Sequence, residues 1–529
     1  VGYDAQVVGE QLHLPSPVLR RLLAQNGGRV DRGERVRGEL AADELAALAG
    51  HAKRRAKERL RRRGPETDQD HPGTWAISCR ILVMSRSPAV DVVILGAGAA
   101  GLAAARDLSQ AGRRVTVLEA RPRVGGRILT VHDPRSPLPL ELGAEFIHGE
   151  AAETFAIARA ARLVVVELPD LHEVVTRGRF TPRHDFWNAI DAMNRALAAR
   201  LRRRGGDFPV GDYLKEARPP GRRGMLEDFI QGFHAARPER LSAAALAAEA
   251  GELSESDEKQ FRITNGNDAL THWLRERLDP ERTDVRLSTV AEVVTWKRGE
   301  VVVSCRGGDG SALEPMRARA CIVALPLAVL KSGVPRIEPF PPAKRRALDG
   351  LETGQIFKVV LRFREAFWEH EDFLKQRRAR NGAAGVGLNF IHAHGRTIPT
   401  WWSTLPARSP ILTGWVGGRT AEELLAEQPV VRLERSLAAL AEILAVPLRR
   451  LEEQLDAGAT HDWRADPFAR GAYSYIAVGG MGAPGALAKP VDGTLFFAGE
   501  ATNGDEIGTV AGALGSGRRA AREVQRVLE

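Results

Sequence analysis

A strand, a glycine-rich turn and a helix follow one another early in this chain, and no other feature limits its fold as strongly. Val90–Leu95 (VDVVIL) reads as a buried strand because it is short, apolar and β-branched. Gly96, Ala97, Gly98, Ala99, Ala100 and Gly101 come next, and a helical pattern runs on to about Ala111. The first glycine permits a tight turn. The second lets the backbone approach a pyrophosphate, and the third lets helix and strand pack closely. Residues 114–119 (RVTVLE) read as a second strand, so the segment opens a parallel βαβ unit. Glu119 ends that strand, where a carboxylate can accept hydrogen bonds from a ribose diol. Free N–H groups and the helix dipole at Ala99 and Ala100 favour phosphate. The expectation is a dinucleotide site.

Residues 121–127 (RPRVGGR) resemble the extension that follows the ribose-binding acid in flavin-binding proteins. Ala120 and Arg121 lead into it. Gly125 and Gly126 allow close backbone approach, and Arg127 can offer phosphate a planar fork. Far along the chain, residues 495–502 (LFFAGEAT) read as a buried strand that delivers Gly499 and Glu500 to the same cofactor. Two distant segments thus agree on FAD rather than a nicotinamide.

Four further segments complete a pattern: residues 141–149 (ELGAEFIHG), 324–331 (ALPLAVLK), 357–363 (FKVVLRF) and 470–475 (RGAYSY). With them the chain, from about Val90 to Glu529, resembles the flavin-containing amine oxidases. That family includes monoamine oxidases, polyamine oxidases and lysine-specific histone demethylases. The resemblance implies an α/β (mixed α+β) fold in which a Rossmann-like FAD-binding domain is interleaved with a substrate-binding domain. The expected boundaries are 84–165, 259–345 and 458–529 for the first, and 166–258 and 346–457 for the second. A short helical basic extension, residues 1–83, precedes them.

The resemblance also implies site residues. Lys358 matches a lysine that holds a water beside flavin N5, and a desolvated lysine can be tuned toward neutrality. Phe357, Val359, Leu361 and Phe363 should line one face of its strand, with Lys358, Val360 and Arg362 on the other. Tyr473 matches an aromatic ring before the flavin; Thr509, followed by Val510, stands where monoamine oxidases carry a second ring. Ala472 replaces their flavin-linking cysteine, so FAD should be non-covalent. His148 matches a histidine that faces bound polyamine and could sense amine charge near neutral pH; its alternative is a histidine bonded to backbone. Glu145, beside Gly143 and Ala144, either attracts a cationic substrate or caps a turn near the flavin. Trp463 matches a tryptophan beside the isoalloxazine, and Val290 a residue whose backbone meets the adenine. Trp401 and Trp402 either line a channel or fill the core.

The activity implied is transfer of a hydride from the α-carbon of an amine to flavin N5. Reoxidation by O2 gives H2O2, and the imine hydrolyses to an aldehyde. Polyamines stand ahead of monoamines, because the two-ring arrangement is half missing. An L-amino-acid oxidase is an alternative that needs a carboxylate-clamping arginine. A lysine demethylase-like chromatin regulator is another.

Composition limits the rest. The chain has 529 residues, a net charge of +9 and three cysteines, Cys79, Cys305 and Cys321. Cysteines so few and so dispersed suggest neither a disulfide framework nor a metal site, and fit a reducing cytoplasm. No apolar run is long enough for a membrane span, and residues 1–20 lack the pattern of a secretory leader. The basic run from Lys53 to Arg63 has no interleaved aromatics, which argues against nucleic acid as a partner. Helices are expected at 15–26, 41–63, 185–203, 241–253, 261–278, 421–444 and 509–528.

Overall fold

The computed structural model describes residues 14–15, 90–183, 186–217, 220–248, 259–378 and 387–529. These all belong to one compact unit; the second unit, residues 24–87, lies outside the described residues. So do the helices expected at 15–26 and 41–63, except that Pro15 forms a two-residue strand with Leu14 against Ala457 and Gly458.

In Val90–Leu95 the last four residues are buried, as a β-branched run with a neighbour on each side must be. It pairs in parallel with Val115–Leu118 and with Met316–Val323. The eight-stranded sheet runs Thr283–Arg286, Val115–Leu118, Val90–Leu95, Met316–Val323, Glu300–Gly307, Thr289–Lys297, Arg336–Glu338. Leu495–Phe497 adds to the C-terminal half of Met316–Val323, again in parallel. This edge-to-edge continuity brings the glycine turn after Leu95 and the Gly499–Glu500 corner after Phe497 to the same end of the sheet. Helix Ala99–Gln110 packs on helix Val510–Leu528 through small residues: a Cβ on Gly517 would lie 2.1 Å from the Ala100 carbonyl oxygen.

A second eight-stranded sheet, mostly antiparallel, joins Leu455–Thr460, Ile356–Phe363, Ile411–Gly417, Thr400–Trp402, Phe390–His392, His172–Thr176 and Arg179–Pro182, with Leu14–Pro15 at its edge. All of Ile356–Phe363 is buried. Phe357, Val359, Leu361 and Phe363 enter the apolar core under helix Pro429–Leu444, and Lys358, Val360 and Arg362 face the other way, as the alternation predicts. Arg362 sits between Asp133 (2.8 Å) and Asp456 (2.6 Å). Replacing it by methionine leaves the nearly buried Asp133 without that guanidinium. The expected loss is about 3 kcal/mol in denaturant unfolding; a loss below 1 kcal/mol would contradict the account.

Two expected helices differ. Residues 261–278 are not one helix: Gln260–Ile263 is a strand held between Phe146–His148 and Val165–Glu167, and helix Asp268–Glu276 follows. Pairing on both edges outweighs the helical pattern, and Gly266, at φ +97°, makes the turn between them. Residues 421–444 are two helices, Gly418–Leu425 and Pro429–Leu444. Pro429 lacks an N–H and starts the second. The expected 185–203 and 509–528 helices are Phe186–Arg204 and Val510–Leu528. Of 241–253, Ala243–Ala248 is helical and residues 249–253 lie outside the described residues.

Candidate active site

One cavity of about 1040 Å³ runs between the two sheets. At one end stands the glycine turn. Gly96 has φ +98°, and a Cβ there would lie 2.8 Å from the Ala324 carbonyl oxygen. Gly101 does not reach the cavity; its Cβ would fall 1.9 Å from the Gly96 oxygen, so it serves the packing of helix on strand. Gly98 is different. Its backbone is extended, and a Cβ would meet nothing nearer than the Gly125 oxygen at 4.0 Å. Nothing in the protein requires glycine there, so the open space suits a pyrophosphate. Gly98 is also the N-cap of helix Ala99–Gln110, and no side chain caps it. The dipole end beside Ala99 and Ala100 is left for an anion.

Glu119 accepts hydrogen bonds from the Ala97 and Arg121 N–H groups, at 2.8 and 2.9 Å, and this fixes it at the cavity wall beside Ala120 and Val290. Arg121 is held by both oxygens of Asp466 at 2.7 Å. Gly125 and Gly126 have φ +103° and +59°. Arg127 donates to the Ala472 carbonyl and, at 2.9 Å, to Glu500, which turns its guanidinium along the wall. Glu500 is itself satisfied by the Ser474 hydroxyl and by the Ser474 and Gly508 N–H groups. It therefore orients Arg127 and the two loops, and Gly499, at φ +119°, makes its corner. The residues present fit FAD along this half of the cavity.

Toward the middle stand Gly143, Ala144, Glu145, Trp463, Lys358, Tyr473, Thr509 and Val510. Trp463 donates to the Leu142 carbonyl at 3.0 Å. Thr509 caps the last helix, accepting from the Gly512 N–H at 2.9 Å. Tyr473 donates to the Phe233 carbonyl at 2.6 Å, and burial pushes its phenol pKa up. Of the tryptophan pair, Trp402 lines the cavity and Trp401 is core.

Lys358 and Glu145 require correction. Lys358 is not a lone desolvated amine: its Nζ lies 2.6 Å from Glu145 and donates to the Gly143 carbonyl at 3.2 Å. Glu145 neither caps a turn nor waits for a cation. It also accepts from Arg262 at 2.7 Å and from the Trp402 indole at 3.0 Å. Burial alone would push its carboxyl up, but the Lys358 and Arg262 charges outweigh that and hold it below the ordinary range.

The pH-sensing reading of His148 changes. Its side chain is exposed to the cavity, and desolvation by the cavity walls lowers its pKa to about 4. Its neighbours are the Phe146 and Phe233 rings, not backbone acceptors. His234, also on the wall, is lowered to about 4 by burial. For a histidine whose folded pKa is lowered, the unfolded chain takes up the proton first. Stability therefore falls as pH drops from about 6.5 to about 4. Melting temperatures of a His148→Gln, His234→Gln double variant should fall less over that window than those of the parent; parallel curves would contradict this.

Sequence reasoning missed Arg262, whose place opposite Phe146–His148 depends on the strand mistaken for helix. It also missed the far wall: Phe186, Trp187, Phe229 and Phe233, with a buried pair of histidines, His172 and His392, 2.8 Å apart. Beyond them His394 Nδ1 meets Asp228 at 2.7 Å.

Residues 99–525 match the sequence family described as flavin containing amine oxidoreductase. The chain belongs to that family. It is 30% identical to a probable polyamine oxidase 4 of Arabidopsis thaliana, over 83% of this chain and 87% of that one. It is 28% identical to a lysine-specific histone demethylase 1 homolog of Oryza sativa subsp. japonica, over 83% of this chain and 58% of that one. Among solved structures, a putrescine oxidase bound to putrescine superposes with a TM-score of 0.67 at 21% identity, covering 83% of this chain and 99% of that one. A cyclohexylamine oxidase from Brevibacterium oxydans gives 0.68 at 19%. This member of the amine oxidoreductases is a mixed α/β enzyme with FAD as its cofactor, bound non-covalently: Ala472 offers no linking atom, and Cys305 and Cys321 are buried in the first sheet away from the cavity. Among the described residues no group of side chains suits a metal ion, and no helix is long and apolar enough to cross a membrane.

Proposed function

We propose that this amine oxidoreductase acts on extended di- or polyamines, with O2 as electron acceptor and H2O2 as product, in the cytoplasm. The observation that carries the reading is the far half of the cavity. It is walled by Trp187, Phe229, Phe233 and the neutral His148, and ends at a carboxylate, Asp228. Aromatic faces attract cations, and a carboxylate beyond them suits a second ammonium group.

FAD, when bound, takes two electrons and a hydrogen from the amine α-carbon and passes the electrons to oxygen. The chain supplies the rest. Gly98 and the helix end would hold the pyrophosphate, Glu119 the ribose and Val290 the adenine edge. Trp463, Tyr473, Thr509 and Val510 would border the flavin ring, with Lys358 at its edge. Tyr473, fixed through its hydroxyl, would orient the substrate's reacting carbon. The apolar walls would exclude bulk water. His148 carries no charge at neutral pH, so it would pack against the amine chain without repelling it.

Asp228→Asn is expected to raise KM for spermidine or putrescine about tenfold or more while leaving that for benzylamine near the parent value. Equal effects on all three would contradict an anchoring role. The amino-acid reading has less support, because no arginine among the described residues lines the aromatic half. Arg121 and Arg127 are engaged at the cofactor end, and Arg470 alone of the cavity's arginines lacks a carboxylate partner. A peroxide-coupled panel of spermine, spermidine, N-acetylated polyamines, tyramine, benzylamine and L-amino acids tests the choice. Turnover of polyamines over the others is expected, and turnover of amino acids alone would overturn it.

A further inference from the structure

The buried charges around Lys358 come from three separate stretches of chain. Lys358 lies on Ile356–Phe363, Glu145 just before Phe146–His148, and Arg262 on Gln260–Ile263. Lys358 and Glu145 have side chains 2% and 8% exposed, and Arg262 9%. One Glu145 oxygen takes the Lys358 nitrogen at 2.6 Å, and the other takes Arg262 at 2.7 Å and the Trp402 indole at 3.0 Å. Trp402 also presents its ring to Lys358, 5.8 Å from the nitrogen. Arg262 is held from behind by the Leu405 and Ser403 carbonyls and lies over the Phe146 ring. Among the described residues, Glu141 also feels the charges of Lys358 and Glu145. Its oxygens are taken by the Asn267 N–H and the Thr130 hydroxyl, and burial pushes its pKa up to about 8.

We propose that Glu145, clamped by Arg262 and Trp402, is the positioning residue that aims the Lys358 nitrogen into the cavity and supplies its counter-charge. A lysine stem has four rotatable bonds and no fixed direction of its own. Held by a carboxylate that cannot move and by the Gly143 carbonyl, the nitrogen has one place. Without the carboxylate two buried cations, Lys358 and Arg262, would face each other unpaired, an arrangement that costs several kcal/mol unless one sheds its proton or swings away. Arginine does not release its proton in proteins, so the lysine is the group that changes state. Glu145 thus fixes the place of the Lys358 nitrogen and gives it a buried counter-charge.

This inference rests on the reading of Lys358 as the residue beside the flavin. The test uses FAD-loaded protein in five forms: parent, Lys358→Met, Glu145→Gln, Glu145→Asp, and Glu145→Gln combined with Lys358→Met. Two properties are followed from pH 6 to 10: the flavin midpoint potential, and the rates of the two half-reactions in stopped flow. Glu145→Gln is expected to slow a half-reaction about tenfold or more. It should also introduce an ionisation, in both rate and potential, beyond the one near pH 8 that Glu141 gives the parent. The combined variant should lose that ionisation and be no slower than Lys358→Met alone, because Glu145 acts only through the lysine. Glu145→Asp keeps the charge and should recover most of the rate, which covers the case in which the glutamine variant folds poorly. A Glu145→Gln enzyme with the parent's pH profile would overturn the proposal, and so would a defect that adds in full to that of Lys358→Met. If Lys358→Met itself changes neither potential nor rates, the placement of Lys358 beside the flavin is what fails.

Discussion

Replacing Lys358 by methionine is expected to leave FAD bound while slowing flavin reduction or reoxidation at least about tenfold in stopped-flow traces. The methionine side chain fills nearly the same volume in a strand that is buried throughout, so the packing of Phe357 and Val359 beneath it is kept. Glu145 loses one cation but retains Arg262 and Trp402, so no buried carboxylate is left bare. Folding and cofactor retention should therefore survive, and only the chemistry that uses the nitrogen should suffer. Parent-like rates in both half-reactions would remove Lys358 from the mechanism.

Gly98→Val is expected to give a folded but colourless protein, with FAD affinity lower by a factor of about ten or more. Gly98 has an extended backbone that any residue adopts, and a Cβ there would meet nothing nearer than the Gly125 oxygen at 4.0 Å. A side chain there would meet only the pyrophosphate that the cradle is proposed to hold. Gly101→Ala makes the contrast: its Cβ would sit 1.9 Å from the Gly96 oxygen, so helix and strand must separate and the melting temperature should fall even without cofactor. The ratio of flavin to protein absorbance and the apoprotein melting curve distinguish the two. Full flavin content in Gly98→Val would contradict the cradle.

The cradle could be read from sequence because its signals are local. A β-branched run, spaced glycines and an acid at the end of the next strand each have a meaning within a few residues. The two faces of the Lys358 strand were legible for the same reason, since alternation fixes which side chains share a face. The partners across that face were not. Glu145 and Arg262 meet only when Gln260–Ile263 pairs with Phe146–His148, and the sequence periodicity there favoured a helix. The surroundings of His148 depend on the same kind of information: the Phe233 ring beside it comes from a distant helix. The break before Pro429 was legible and was passed over, because the apolar pattern on either side continues in phase. The aromatic wall and Asp228 were illegible, because residues scattered over several helices converge only in three dimensions.

The central claim, that the cavity oxidises amines on bound FAD, is tested most directly by anaerobic titration of the yellow holoenzyme with spermidine, followed at the flavin absorbance. The account predicts complete bleaching at about one equivalent, return of colour on admitting air, and one H2O2 for each amine consumed. FAD that stays bound and oxidised in the presence of spermidine and every other amine of the panel would contradict it.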